Sequence, residues 1–140
     1  MPKRAYYSLP DKALVKTVPQ PAQHLLIADM AKSRHGDIVH YTMEDPYTLG
    51  TQEIFRSKLA EKPRIDGFVF FTLDQFAYSG ELNVRLLEEV LRSGYELHFA
   101  RERFSLSTPG DLDREFPLIY TRAYVGKRDA NHGLLKAVLA

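Results

Sequence analysis

Apolar positions along this chain follow two rhythms, short continuous runs and stretches that repeat every three to four residues, and the two alternate. The run Ala5–Leu9, ended by Pro10 and Asp11, reads as a first strand. Asp11–Pro21 reads as a loop, and its Pro19 and Pro21 suit the entry of a helix, where amide protons lack partners anyway. From Ala22 to Arg34, Leu25, Leu26, Met30 and Ala31 recur at helical spacing, and Gly36 stops the run. Ile38–Thr42 is a second short strand. Thr48–Glu61 carries Ile54, Phe55 and Leu59 on one side and predicts a helix closed by Pro63. Gly67–Leu73 is aromatic, β-branched and almost continuously apolar, the pattern of a strand buried on both faces. Glu81–Ser93 lines up Leu82, Leu86, Leu87, Val90 and Leu91, with Gly94 as its stop. Tyr95–Ala100 is a fourth strand. The alternation implies βαβ crossovers and an α/β fold: a short parallel sheet of at least four strands with helices on both faces.

Beyond Ser105 the rhythm weakens. Ser105–Gly110 reads as a loop, Asp111–Arg128 as mostly helical despite Pro117, and His132–Ala140 as a short apolar tail. The expected organisation is one α/β domain over residues 1–128 and a C-terminal tail over residues 129–140. Tyr120, Tyr124, Leu134, Leu135, Val138 and Leu139 exceed what one small sheet edge can cover, which predicts a homo-oligomer, most simply a two-fold dimer.

Composition narrows the classes of function. The 140 residues fit one domain with a core of its own. Nineteen basic and eighteen acidic side chains give a net charge of +1, so no bulk field draws the chain to nucleic acid or to an anionic membrane. The absence of cysteine removes disulfides, thiol catalysis and thiolate metal sites together. With no secretion signal and no apolar run of membrane-spanning length, a cytoplasmic location is expected. No glycine-rich phosphate loop and no Gly-x-Ser-x-Gly elbow is present, and the five histidines show no zinc-type spacing. No cofactor is therefore expected, while a metal site assembled from distant residues stays open.

In an open parallel sheet the ligand crevice lies beyond the carboxyl ends of the strands, where connections switch direction. That rule selects Ser8, Met43-Glu44, Asp74-Gln75 and Arg101-Glu102, with His98 inside the fourth strand. Each has a structural alternative. Ser8 is also suited to terminating its strand, and Glu44-Asp45-Pro46 to entering a helix. Asp74 is equally a cap for the next turn, His98 a core histidine held by backbone, and Glu102 one half of a solvated ion pair. Helix N-termini open onto the same edge and offer amide protons to an anion.

Read in order, Tyr7-Ser8-Leu9-Pro10, Pro19–Asp29, Tyr41–Glu44, Ile65–Phe71 and Leu97–Glu102 resemble the sporadic carbohydrate-cluster proteins, over about Arg4 to Phe104. These are small bacterial proteins encoded among surface-polysaccharide biosynthesis genes. The resemblance implies sugar or related pathway chemistry, and its corresponding positions are Ser8, Gln23, Glu44, Tyr47, Gln75, His98 and Glu102. Asp74 departs from it, since an aromatic residue is expected there. A more distant resemblance links Asp66–Phe76, Ser79 and Ser105–Gly110 to the catalytic domain of serine recombinases, with Ser8 at the nucleophile. Gln75, Tyr78 and Tyr6 stand where that family carries arginines. Phosphoryl transfer needs fixed cations, so this resemblance implies a shared fold with the DNA-cleaving chemistry gone.

The expected function is that of an enzyme, or enzyme subunit, performing acid/base chemistry on a sugar-like or polar carbonyl metabolite. His98 would be the general acid/base, Glu102 its assistant and Ser8 a positioning hydroxyl or nucleophile. Gln23, Glu44, Tyr47, Asp74 and Gln75 would bind substrate. The rivals are a non-catalytic partner subunit of a larger biosynthetic enzyme and a degenerate DNA-binding relative, the latter disfavoured by the near-neutral charge.

Overall fold

The computed structural model describes residues 3–61, 64–78, 80–115, 117 and 119. At its centre is a five-stranded sheet made of β1 (Arg4–Leu9), β2 (Gly36–Tyr41), β3 (Gly67–Phe70), β4 (Glu96–Phe99) and β5 (Phe104–Leu106). The spatial order is β2-β1-β3-β4-β5. The first four strands run parallel, and β5 lies antiparallel along β4. The first and third strands pair in parallel, Tyr6–Leu9 against Gly67–Phe70, as the alternating pattern requires. The crossovers are made by α1 (Gln20–Ser33), α2 (Glu53–Ala60) and α3 (Val84–Arg92).

Helices cover both faces. The step from β1 to β2 runs one way along the sheet, and the steps to β3 and β4 run the other way. Right-handed crossovers therefore put α1 on one face and α2 with α3 on the opposite one. Strand alternation divides the side chains accordingly. Tyr6 and Val69 pack with Ile27, Met30 and Ala31 of α1. Tyr7, Leu9, Phe68, Phe70, Leu97 and Phe99 pack with Phe55, Leu59, Leu86, Leu87 and Val90 of α2 and α3. Phe55 stands edge-on to Phe68 and Phe70, with ring centres 4.9 and 5.0 Å apart, the arrangement that aromatic quadrupoles favour.

Local chemistry moves several boundaries from where periodicity puts them. β3 stops at Phe70 rather than Leu73 because Thr72 caps a 3-10 turn over Leu73–Phe76. The Thr72 hydroxyl accepts from the Asp74 amide at 3.3 Å, and the Thr72 amide donates to Gln75 Oε1 at 3.0 Å. α2 begins at Glu53 instead of Thr48, since Gln52 adopts a left-handed conformation with φ 53°. α3 begins at Val84, where the Asn83 side chain accepts from the Leu86 amide at 3.2 Å. Gly94, at φ 90°, follows it as expected. The loop expected over Ser105–Gly110 is instead the edge strand β5 and, from 109 to 115, helix. Residues 100 to 103 therefore turn the chain back along β4, a hairpin that an apolar-run reading does not register.

Leu112 and Ile119 reach into the core on the α2 and α3 side. The predicted helix as far as Arg128, Tyr120, Tyr124, the tail over 129–140, Pro63 and Ser79 lie outside the described residues. Among the described residues, no helix is long and apolar enough to cross a membrane.

β3 is seated tightly against β4: a Cβ added at Gly67 would fall 2.4 Å from the Glu96 carbonyl oxygen. The nearest atoms, the Glu96 carbonyl and its Cβ, are fixed to the strand and cannot yield as a side-chain tip would. Gly67→Ala should therefore destabilise the fold by about 1–3 kcal/mol, visible as a lower urea midpoint. An unchanged midpoint would contradict this register.

Candidate functional site

Because the connections leaving β1 and β3 go in opposite directions, the switch point of the sheet lies between the carboxyl ends of these two strands. Parallel strands end there with carbonyls that no further strand satisfies, and polar side chains fill that role. Gln75 Nε2 donates to the carbonyls of Leu9 at 3.1 Å and Pro10 at 3.3 Å, joining the end of β1 to the turn after β3. Glu102 ties the end of β4 to the same turn, accepting from the Thr72 hydroxyl at 2.7 Å and the Leu73 amide at 3.1 Å. Arg101 donates to Asp74 Oδ2 at 2.7 Å. Glu44 accepts from the Ile54 and Phe55 amides at 2.8 and 3.0 Å, capping the first turn of α2. Burial pushes the Glu44 carboxyl above its ordinary range, although those amide bonds pull the other way.

Asp11, just past the end of β1, sits at the same edge. It is 1% exposed. Its Oδ1 accepts from the Ala13 amide at 2.9 Å, while Oδ2 is buried with no hydrogen-bond partner. Gln23 holds this segment in place: it accepts from the Asp11 amide at 2.6 Å and donates to the carbonyls of Asp11 and Val18 at 3.0 and 2.9 Å. Burial, reinforced by the charge of Asp74 and opposed by the Ala13 amide and Arg101, pushes the Asp11 carboxyl up to about 6. A second orphaned group, the Tyr78 hydroxyl, lines a crevice at this edge together with Pro10, Lys12, Glu44, Gln52 and Gln75. The crevice holds about 10 Å³, room for about one water.

The residues expected to converge fall into separate groups. Glu44 and Gln75 share the crevice, and Asp74 and Glu102 join Gln75 through the turn at Thr72. Gln23 belongs with Asp11. Ser8 lies on the α1 face, fully buried, with Oγ 3.4 Å from His24 Nδ1; burial lowers the pKa of that histidine. His98 is on the same face in mid-strand, beside Val69, which is itself beside Ser8. It is 2% exposed and has both ring nitrogens engaged, Nε2 with Glu96 Oε1 at 3.0 Å and Nδ1 with Ser105 Oγ at 2.6 Å. His98, one residue before the end of β4, stays away from the strand-end crevice because it faces the α1 side, against Tyr6. Tyr47 is 96% exposed in the loop before α2, turned away from the crevice.

Sequence reasoning passed over Asp11 because the strand-end rule was applied at Ser8, three residues short of it. The signal was an acid directly after the strand-terminating Pro10. It also passed over Glu96, whose spacing of two from His98 puts both on one face of a strand. Among the described residues, no three His, Asp or Glu side chains gather as metal ligands would. No family model matches this chain, and no curated protein matches it.

The Asp11 geometry carries a thermodynamic signature. A carboxyl raised from 3.8 to about 6 by folding favours the native state below pH 4, and that contribution is lost as pH rises through 6. Asp11→Asn keeps an oxygen for the Ala13 amide and has no charge to bury. Its melting temperature should thus exceed that of the parent at pH 7 and converge on it near pH 4. A variant less stable than the parent at pH 7 would show that the ionised carboxylate is a favourable structural partner.

Proposed function

We propose that this chain is an enzyme, or the catalytic subunit of one, acting on a small polar metabolite by acid/base chemistry at the switch-point crevice. The observation that carries this reading is Asp11: a buried carboxyl with one unpartnered oxygen, poised near neutral pH at the place where such sheets bind ligands. Stability alone gives no reason to keep an orphaned acid there, and a proton-transfer group needs both properties. Asp11 does not itself line the crevice but lies buried between Pro10 and Lys12, which do, so in this reading its Oδ2 takes a proton from the substrate, or returns one to it, once the loop after β1 parts. Gln23 fixes the Asp11 backbone and the Ala13 amide its Oδ1, and Arg101 limits how far its pKa rises. Gln75, Glu44 and Glu102 set the loops that shape the crevice. The resemblance to sporadic carbohydrate-cluster proteins supports a sugar-like or polar carbonyl substrate. Such a substrate is larger than one water, so the loops after β1 and β2 must part to admit it.

The fold is read as the recombinase catalytic type with that chemistry lost. Ser8, at the position of the nucleophile, is sealed under α1, and Gln75 is spent on two backbone carbonyls. A second reading, a partner subunit that completes a larger biosynthetic enzyme, is favoured by the smallness of the crevice and by exposed Leu25, Leu26, Val39, Tyr41 and Tyr47.

The test is to incubate the purified chain with nucleotide-linked sugars and small polar carbonyl compounds and to follow their NMR signals. Turnover is expected, with Asp11→Asn lowering it about 10²–10⁴-fold while the fold persists. Turnover unchanged in Asp11→Asn would remove Asp11 from the chemistry. If the panel is untouched by the chain alone and converted once a partner enzyme is added, the subunit reading takes its place.

A further inference from the structure

On the far side of the sheet from α2 and α3, away from the crevice, three side chains form a relay that the proposed function does not use. Glu96 and His98 are two residues apart on β4, and Ser105 faces His98 across the antiparallel pair with β5. Glu96 Oε1 lies 3.0 Å from His98 Nε2, and Ser105 Oγ lies 2.6 Å from His98 Nδ1. Glu96 also receives the Tyr6 hydroxyl at 3.0 Å and an ion pair from Arg4. Burial works against its charge, but the hydrogen bonds from His98 and Tyr6 and the charges of His98 and Arg4 prevail and hold its carboxyl below the ordinary range. Tyr6 keeps its proton, because burial and the neighbouring Glu96 charge push its pKa up.

These contacts fix one bond and leave the other to the tautomer. An ionised Glu96 can only accept, so Nε2 carries a proton toward it, and in the tautomer protonated there alone Nδ1 presents its lone pair. The Ser105 hydroxyl is then the donor to Nδ1, and at 2.6 Å the contact is shorter than the usual 2.7–3.2 Å range for nitrogen and oxygen partners. A hydroxyl bonded to an imidazole lone pair, with the other ring nitrogen held by a carboxylate, is the arrangement that activates a serine. Ser105 is only partly buried, and β5 has a strand on one side only among the described residues. Ser105 thus lies on the outer strand of the sheet, the side from which an electrophile would approach Oγ.

We propose that Ser105 is a base-activated nucleophile, with His98 its general base and Glu96 the positioning residue, at a second site that takes an activated acyl ester. Ser105 Oγ bonds to the carbonyl carbon while its proton passes to His98 Nδ1, and the carbonyl π electrons move onto oxygen. Collapse re-forms the carbonyl, breaks the bond to the leaving oxygen and returns the proton from His98 to that oxygen. Water, deprotonated by the same histidine, then releases the acid and restores the serine.

The test is covalent labelling of the whole chain with a fluorophosphonate, mapped by tandem mass spectrometry, with p-nitrophenyl acetate cleavage alongside. One adduct is expected on Ser105, absent in Ser105→Ala, at a rate well above that of the same chain in urea. His98→Gln should slow labelling about 100-fold or more, and Glu96→Gln should also slow it. Glu96→Gln serves where His98→Gln fails to fold. Folded parent protein with no adduct on Ser105, or labelling no faster than in urea, would overturn the proposal. Equal rates in parent and folded Glu96→Gln would overturn the relay.

Discussion

Parallel strands buried on both faces have to end somewhere, and their last carbonyls must find donors where no neighbouring strand supplies one. Here a single side chain meets that constraint at the centre of the sheet. The Gln75 amide bonds the carbonyls of Leu9 and Pro10 while its own oxygen caps the turn after β3. The end of β1 and the turn after β3 are thereby fixed to each other across the switch point. Glu102 extends the tie to β4 through Thr72 and Leu73, and each such bond to a charged group contributes about 1.5–3 kcal/mol.

This network is also why the strand-end edge is so closed. Polar residues that a ligand would otherwise meet are occupied with backbone: Gln23 with Asp11 and Val18, Glu44 with α2, Gln75 with β1. What the network leaves over is chemically telling. Asp11 Oδ2 and the Tyr78 hydroxyl lack partners, and burial pushes the Asp11 carboxyl up to about 6. Buried polar groups without partners are costly, so their survival at one edge of a well-tied sheet marks that edge as the place to look for chemistry.

The sheet was legible from sequence because a strand buried on both faces is almost continuously apolar, and Gly-Phe-Val-Phe-Phe admits no other reading. Helix spacing placed α1 and α3 and gave the inward face of α3 with Leu87, Val90 and Leu91, but on α1 it misplaced half the stripe: Ile27, Met30 and Ala31 face inward, and Leu25 and Leu26 are exposed. Ends were less legible, since they depend on single side-chain bonds such as those of Thr72 and Asn83, which leave no periodic trace. β5 was missed because three residues on a sheet edge cannot establish a period. The candidate site was legible as a location but not as a mechanism. Glu44, Asp74, Gln75 and Glu102 do lie at the strand ends, yet their hydrogen bonds to backbone could not be foreseen. Whether a histidine in mid-strand faces a crevice or a helix is a matter of register, and His98 faces α1. Partnering decided the rest, and it gave Asp11 the free oxygen that no motif announces.

The central claim is that folding buries Asp11 as an acid whose proton is available near neutral pH. The direct measurement is the titration of the Asp11 carboxyl carbon by NMR from pH 3 to 8, assigned with Asp11→Asn. A midpoint of about 6 is predicted. A midpoint at or below the ordinary 3.8 would mean that Asp11 is a solvated or paired carboxylate, and would contradict the account.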